Sequence, residues 1–277
     1  MPRDILVHIP CERPVRPMVD GAVSRAMARN ARLQAVSVGY ESANIGIPIG
    51  GGAAVAAVFE LEHERAQQRA DAALSVFEAE ARNSGIDFSL RAVTGALHDA
   101  AAQVSAIARL ADLTILLQPE YERDTFDNVL PVEVLFQCGG PVLFIPHTHK
   151  GPVGFKRIGI AWDGSRLAAR AVRDSKPFLK DAKEISIISV DEPSKQENPS
   201  AADLATHLAR RGLTAKVERA SADDVDVQPT ILSIAAATGL DLIVMGAYGH
   251  SRLQEWLLGG VTRGMLQSMT VPTLMSH

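Results

Sequence analysis

Short apolar runs alternate along the chain with longer stretches in which apolar positions return every three or four residues. The runs read as strands buried on both faces, and the stretches between them as amphipathic helices. In the second half the pattern predicts strands near 157–162, 185–190, 214–219, 241–246 and 271–276, with helices near 166–180, 201–211, 228–238 and 260–269. In the first half it predicts strands near 4–9, 33–39, 87–93, 112–118 and 141–146, with helices near 18–31, 54–83, 97–110 and 129–138. Such a β-α-β-α alternation makes a parallel sheet with helices on both faces.

The chain is written twice. Asp4-Ile-Leu-Val-His-Ile-Pro10 has a counterpart in Arg157-Ile-Gly-Ile-Ala-Trp-Asp163, and Ala111-Asp-Leu-Thr-Ile-Leu-Leu117 in Leu240-Asp-Leu-Ile-Val-Met-Gly246. Gly140-Pro-Val-Leu-Phe-Ile145 answers Val271-Pro-Thr-Leu-Met-Ser276 in the same order. A duplicated unit changes the reading of the whole chain. At 277 residues, two compact domains are expected, over 1–148 and 155–277, joined through the polar stretch His147-Thr-His-Lys-Gly-Pro-Val-Gly154. The fold class is therefore α/β, as two tandem doubly wound domains, each with a five-stranded parallel sheet. The last strand of each would be an edge, which favours an intramolecular pseudo-twofold pair and leaves room for a homodimer of chains.

Composition narrows the function. Apolar residues make up 47% and charged residues 22%, and 28 basic against 32 acidic side chains give a net charge of -4. Lys and Arg are not gathered into a stripe, so nucleic acid is not an expected partner. The apolar run before Pro10, about five residues, is too short for a signal-peptide core, and no run reaches the roughly eighteen residues of a membrane span. Cys11 and Cys138 are the only cysteines and form no Cys-x-x-Cys spacing, so a cytoplasmic protein without structural zinc or a disulfide framework is expected. Both are read as passive thiols. His147, His149 and His277 show no metal-ligand spacing, so no metal site is expected.

Open parallel sheets collect ligands at the carboxyl ends of their strands. Two clusters fall at such ends. Ala161-Trp-Asp163-Gly-Ser165 closes the first strand of the second half, and Gly246-Ala-Tyr-Gly249-His250-Ser251 leaves its fourth strand for a loop that runs to Gly259-Gly260-Val261-Thr262. Gly246 and Gly249 would let the main chain come close to a ligand. Gly259 and Gly260 precede a helix whose first-turn N–H groups and dipole favour an anion. The hydroxyl of Thr262 would add a donor, with His250 and Ser251 in the loop over the phosphates. Asp163, before Gly and Ser at a strand-to-helix turn, also suits a helix cap. The run Gly46-Ile-Pro-Ile-Gly-Gly-Gly52 reads instead as a flexible linker, because it lacks the Lys-Ser or Lys-Thr of a phosphate loop.

Gly-x-x-Gly, nine residues, then Gly and a small residue resembles the nucleotide signature of ATP-binding universal stress proteins. Asp241-Leu-Ile-Val-Met-Gly before it, Leu258-Gly-Gly-Val-Thr-Arg within it, Val271-Pro-Thr-Leu after it and Trp162-Asp-Gly-Ser165 near the domain start share that likeness. It is clear over 155–277 and faint over 1–148. The resemblance implies a Rossmann-like fold of the adenine nucleotide alpha hydrolase kind, a regulatory role in stress response through a protein partner, and a site for ATP, AMP or ADP with Mg2+. It implies that Asp163, flanked by Ala161 and Trp162, lies against the adenosine and that Val190 meets the adenine edge. Gly260 stands where the family has Ser or Thr, a loss of about 1 kcal/mol for one hydrogen bond. In the first half Pro10, Leu117 and Glu120 replace Asp163, Gly246 and Gly249, so no nucleotide is expected there. A slow ATPase and a nucleotide-free interaction module are the competing readings. The first of these lacks a P-loop Lys and has only Asp163 or His250 as a base.

Overall fold

The computed structural model describes residues 3–28, 30–41, 52–190, 198–221, 227–247 and 260–277. By contacts the chain divides into two units. One comprises Pro2–Cys138 with Lys150–Pro152, the other Gly139–His149 with Val153–His277.

The first unit runs β1 (Asp4–His8), α1 (Arg16–Met27), β2 (Arg32–Tyr40), α2 (Gly52–Asn83), β3 (Phe88–Gly95), α3 (Leu97–Ala108), β4 (Leu113–Leu117) and α4 (Leu130–Gln137). Its strands lie in the order β3-β2-β1-β4, and the pairs β2/β3, β1/β2 and β1/β4 are all parallel. The strands are apolar because helices bury them from both sides: Ile5, Leu6, Val7, Leu113, Ile115 and Leu116 are at most 2% exposed.

The second unit runs β5 (Val142–Ile145), β6 (Arg157–Ala161), α5 (Arg166–Asp174), α6 (Lys176–Leu179), β7 (Glu184–Val190), α7 (Ala201–Ala209), β8 (Lys216–Ala220), α8 (Val227–Thr238), β9 (Leu242–Gly246), α9 (Val261–Ser268) and β10 (Thr273–Ser276). Its strand order is β5-β10-β9-β6-β7-β8. Every pair is parallel except β5 with β10, which run antiparallel with Val142 opposite Met275 and Phe144 opposite Thr273. The sequence division at 148 and 155 assigns β5 to the first copy, whereas its contacts group it with the second. The helix expected over 166–180 is broken in two. Pro177 has no N–H to continue the ladder, so α5 ends at Asp174 and Ser175 caps both α5 and α6.

The duplication extends to a hydrogen-bonded clamp. Asp241, just before β9, accepts the amides of Lys156 at 2.8 and 2.9 Å and of Arg157 at 2.9 Å, pinning the start of β6 beside its neighbour. Asp112, just before β4, does the same for β1, accepting the amides of Arg3 at 2.7 Å and Asp4 at 3.2 Å. In each copy the fourth strand thereby fixes the register of the first. Replacing Asp241 with Ala leaves charge-assisted bonds unmade and is expected to cost about 1.5 kcal/mol. The urea unfolding midpoint measures it, with Asp241→Asn falling between the variant and the parent chain.

Candidate functional site

In the second unit β6 is flanked by β7 on one side and β9 on the other. The chain leaves β6 towards β7 and β8, then returns to build β9 and β10 on the opposite flank. That reversal opens a crevice beyond the carboxyl ends of β6 and β9, where ligands of open α/β sheets bind. Ile160 is in register with Val244, and two further residues carry the strands to Trp162 and Gly246. The two sequence clusters therefore leave the sheet side by side.

On the β6 side, Ala161 is half-buried and Asp163 is exposed. The Trp162 amide extends the ladder by donating to the Ile188 carbonyl at 2.8 Å. Its indole Nε1 donates to the Pro199 carbonyl at 2.9 Å, which pins the segment entering α7 across the end of β6. Gly164 turns the chain at φ +74°, with Asn198 and Pro199 so near that a side chain there would lie 2.8 Å from both. The cap of α5 is Ser165, whose Oγ accepts the Ala168 amide at 3.1 Å. Asp163 closes the turn instead, Oδ1 accepting the Ser165 amide at 2.9 Å. Val190 ends β7 half-buried, one strand further out.

On the β9 side, the missing side chain of Gly246 serves helix packing. A Cβ there would lie 2.6 Å from the Ala168 nitrogen and 2.7 Å from the Leu167 carbonyl carbon, so the first turn of α5 can settle on the strand end only over glycine. Ala247 is fully buried and tied at both ends: its amide donates to the Ser276 carbonyl at 3.0 Å, and its carbonyl lies 3.0 Å from Nδ1 of His277. Gly249, His250, Ser251 and Gly259 lie outside the described residues. Gly260 caps α9 with φ -42° and ψ 152°, Val261 opens the helix half-buried, and Thr262 is 4% exposed. Helix α9 connects β9 to the parallel strand β10, so its amino terminus lies at the same edge of the sheet as the crevice.

The first unit has its own reversal between β1 and β4, and there the protein's own side chains take the space. Arg13, 5% exposed, reaches back to donate from Nη1 to the Gln118 carbonyl at 2.8 Å, and its Nη2 lies 3.6 Å from Glu120. Asp127, on a short 3-10 turn over Phe126–Asn128, is also buried at this place. Pro10, Leu117 and Glu120 alone do not describe this filling. The legible signals were His8 inside the apolar run of β1 and Tyr40 at the end of β2, since buried polar side chains require partners. Arg13 and Asp127, more than a hundred residues apart, gave none.

Residues 154–277 match the universal stress protein family. Among solved structures, a universal stress protein from Archaeoglobus fulgidus is similar over 98% of this chain and 95% of its own, with 16% identity and a TM-score of 0.75. A Pseudomonas aeruginosa protein named for the same family is similar over 99% of this chain and 93% of its own, with 18% identity and a TM-score of 0.62. A second protein of that organism, of unknown function, covers 99% and 92% at 17% identity and a TM-score of 0.60. At these identities the likeness is one of fold. No curated protein matches the chain.

The Gly246 packing yields a test that needs no ligand. Gly246→Ala drives a methyl group into the main chain of α5 and is expected to lower stability by about 2 kcal/mol. Thermal or urea unfolding of the unliganded protein measures it.

Proposed function

We propose that this chain, whose residues 154–277 form a universal stress protein domain, is a regulatory module that holds one adenine nucleotide in the crevice between β6 and β9. ATP is the first candidate, with AMP or ADP as related occupants and Mg2+ on the phosphates. Its output is a stress response passed to a protein partner, in a cytoplasmic setting that suits two cysteines held as thiols.

The observation that carries the proposal is the convergence of Asp163, the end of β9 and the amino terminus of α9 on one topological reversal. Each brings a different chemistry. The exposed carboxylate of Asp163 suits the hydroxyls of a ribose. Val190 offers an apolar edge with main-chain groups for adenine. At the start of α9, the amides of Val261 and Thr262, together with Gly260, present first-turn donors and the positive end of a helix dipole to phosphate. With Thr262 buried, the main chain rather than its hydroxyl is the natural donor. Gly249, His250, Ser251 and Gly259 belong to the connection between β9 and α9, and we assign them to the phosphate side of the site. None of these roles requires a catalytic base, so the nucleotide acts as a bound signal.

Calorimetric titration with ATP in the presence of Mg2+ is expected to give one site per chain. Asp163→Ala is expected to weaken binding about tenfold, the loss of one charge-assisted hydrogen bond. Absence of heat and of any thermal shift would leave the chain as a nucleotide-free interaction module. Single-turnover mixing with labelled ATP is expected to return it intact, and rapid release of phosphate would instead favour an ATPase.

A further inference from the structure

The filled reversal of the first unit centres on a buried carboxylate. Asp127 is 2% exposed. Its Oδ2 accepts the Glu12 amide at 2.8 Å and its Oδ1 accepts the Tyr40 hydroxyl at 3.1 Å. Thr125 secures the turn that delivers it, Oγ1 accepting the Asp127 amide at 3.0 Å. One side chain thus ties the segment after β4 to the segment after β1 and to the end of β2.

Titratable and charged groups reach this place from several elements, while β4, Leu113–Leu117, brings none. They are His8 from β1, Cys11, Glu12 and Arg13 from the segment that follows it, and Tyr40 from β2. Arg69 of α2 reaches the same place, donating to the Tyr40 carbonyl at 2.6 Å. From the segment carrying Asp127, Glu120 is shared between Arg13 at 3.6 Å and Arg123 at 3.0 Å. The thiol of Cys11 is already committed to the Val38 carbonyl at 2.9 Å, and burial pushes it up to about 12, so it stays protonated.

Arg13 Nε and Nη2 and His8 Nε2 are the buried atoms of the cluster without a hydrogen-bond partner among the described residues, and of these His8 Nε2 faces Asp127. His8 is 1% exposed. The nearest polar atom recorded for it is Oδ1 of Asp127 at 3.9 Å, too far for a hydrogen bond. With the ring proton on Nδ1, the two facing atoms are both acceptors, and an unmet acceptor in the interior is costly. One proton would turn that pair into a donor and an acceptor.

We propose that His8 and Asp127 form a buried proton site, in which one proton from solvent settles on Oδ1 of Asp127, donates to Nε2 of His8, and fastens the segment 119–128 onto the end of β1. The bonds from Glu12 and Tyr40 remain, because a protonated carboxyl still accepts through its lone pairs. The net charge of the chain rises by one. Burial supports this placing of the proton: it raises the Asp127 carboxyl to about 6, and with the Arg13 charge it lowers His8 to about 3. Asp127 therefore binds its proton more tightly folded than unfolded. Its contribution to stability is complete below the ordinary carboxyl value and is lost as pH rises through about 6. His8 acts in the opposite sense, contributing above its ordinary value of 6.5 and losing that contribution as pH falls towards about 3. The two oppose each other across mildly acidic pH, so a global melting curve does not isolate the site.

A site-resolved titration does. In the full chain, the side-chain carboxyl carbon of Asp127 is followed by NMR between pH 7.5 and pH 5, and amide hydrogen exchange over 119–128 is measured at both ends after correction for intrinsic rates. The expected result is an inflection near pH 6 with a severalfold rise in protection at pH 5. Asp127→Asn and His8→Leu are each expected to abolish that rise. A carboxyl that titrates near 4, protection equal at both pH values, or a rise that survives in Asp127→Asn would overturn the proposal. If neither variant folds, the two measurements on the parent chain decide.

Discussion

The constraint on which the rest depends is the central position of the first strand in each copy. A parallel strand with neighbours on both sides, whose chain departs one way and returns the other, must leave a gap beyond its carboxyl end, since the two outgoing segments diverge there. Asp241 and Asp112 hold that arrangement by fixing the first strand against the fourth through main-chain amides. The gap follows from topology. Its contents follow from the residues at the strand ends.

The two copies treat the gap in opposite ways. In the second, the exposed carboxylate of Asp163 and the start of α9 border it, and a nucleotide is proposed to occupy it. In the first, Arg13 and Asp127 enter it, and the loops around it are fastened to each other by Asp127, Asn128 and Glu12. Buried ionisable groups are costly unless paired. The hydrogen bonding here is incomplete at His8 Nε2 and at Arg13 Nε and Nη2, and the first copy is proposed to sense a proton at His8 and Asp127 where the second is proposed to sense a nucleotide.

The fold was legible because strand and helix periods differ so strongly in this chain. The ten strands among the described residues and their order along the sequence could be read from apolar runs, and the Asp-Leu pairs at 112 and 241 marked the repeat. Side-chain partnerships across long sequence distance were not legible. Gly246 was readable as a special position, yet its spacing does not distinguish an approach to a ligand from the seat that α5 takes on it. Likewise Asp163 before Gly-Ser suggests a cap, and only geometry shows that Ser165 holds that place. The antiparallel pairing of β5 with β10 depends on contacts between distant segments that no local pattern records.

Backbone amide shifts recorded while ATP and Mg2+ are added test the central claim most directly. The account requires residues 161–164, Ala247 and 260–262 to move together and saturably, with 8–13 and 118–128 left in place. Movement confined to the second set, or none in the first at millimolar nucleotide, would contradict it.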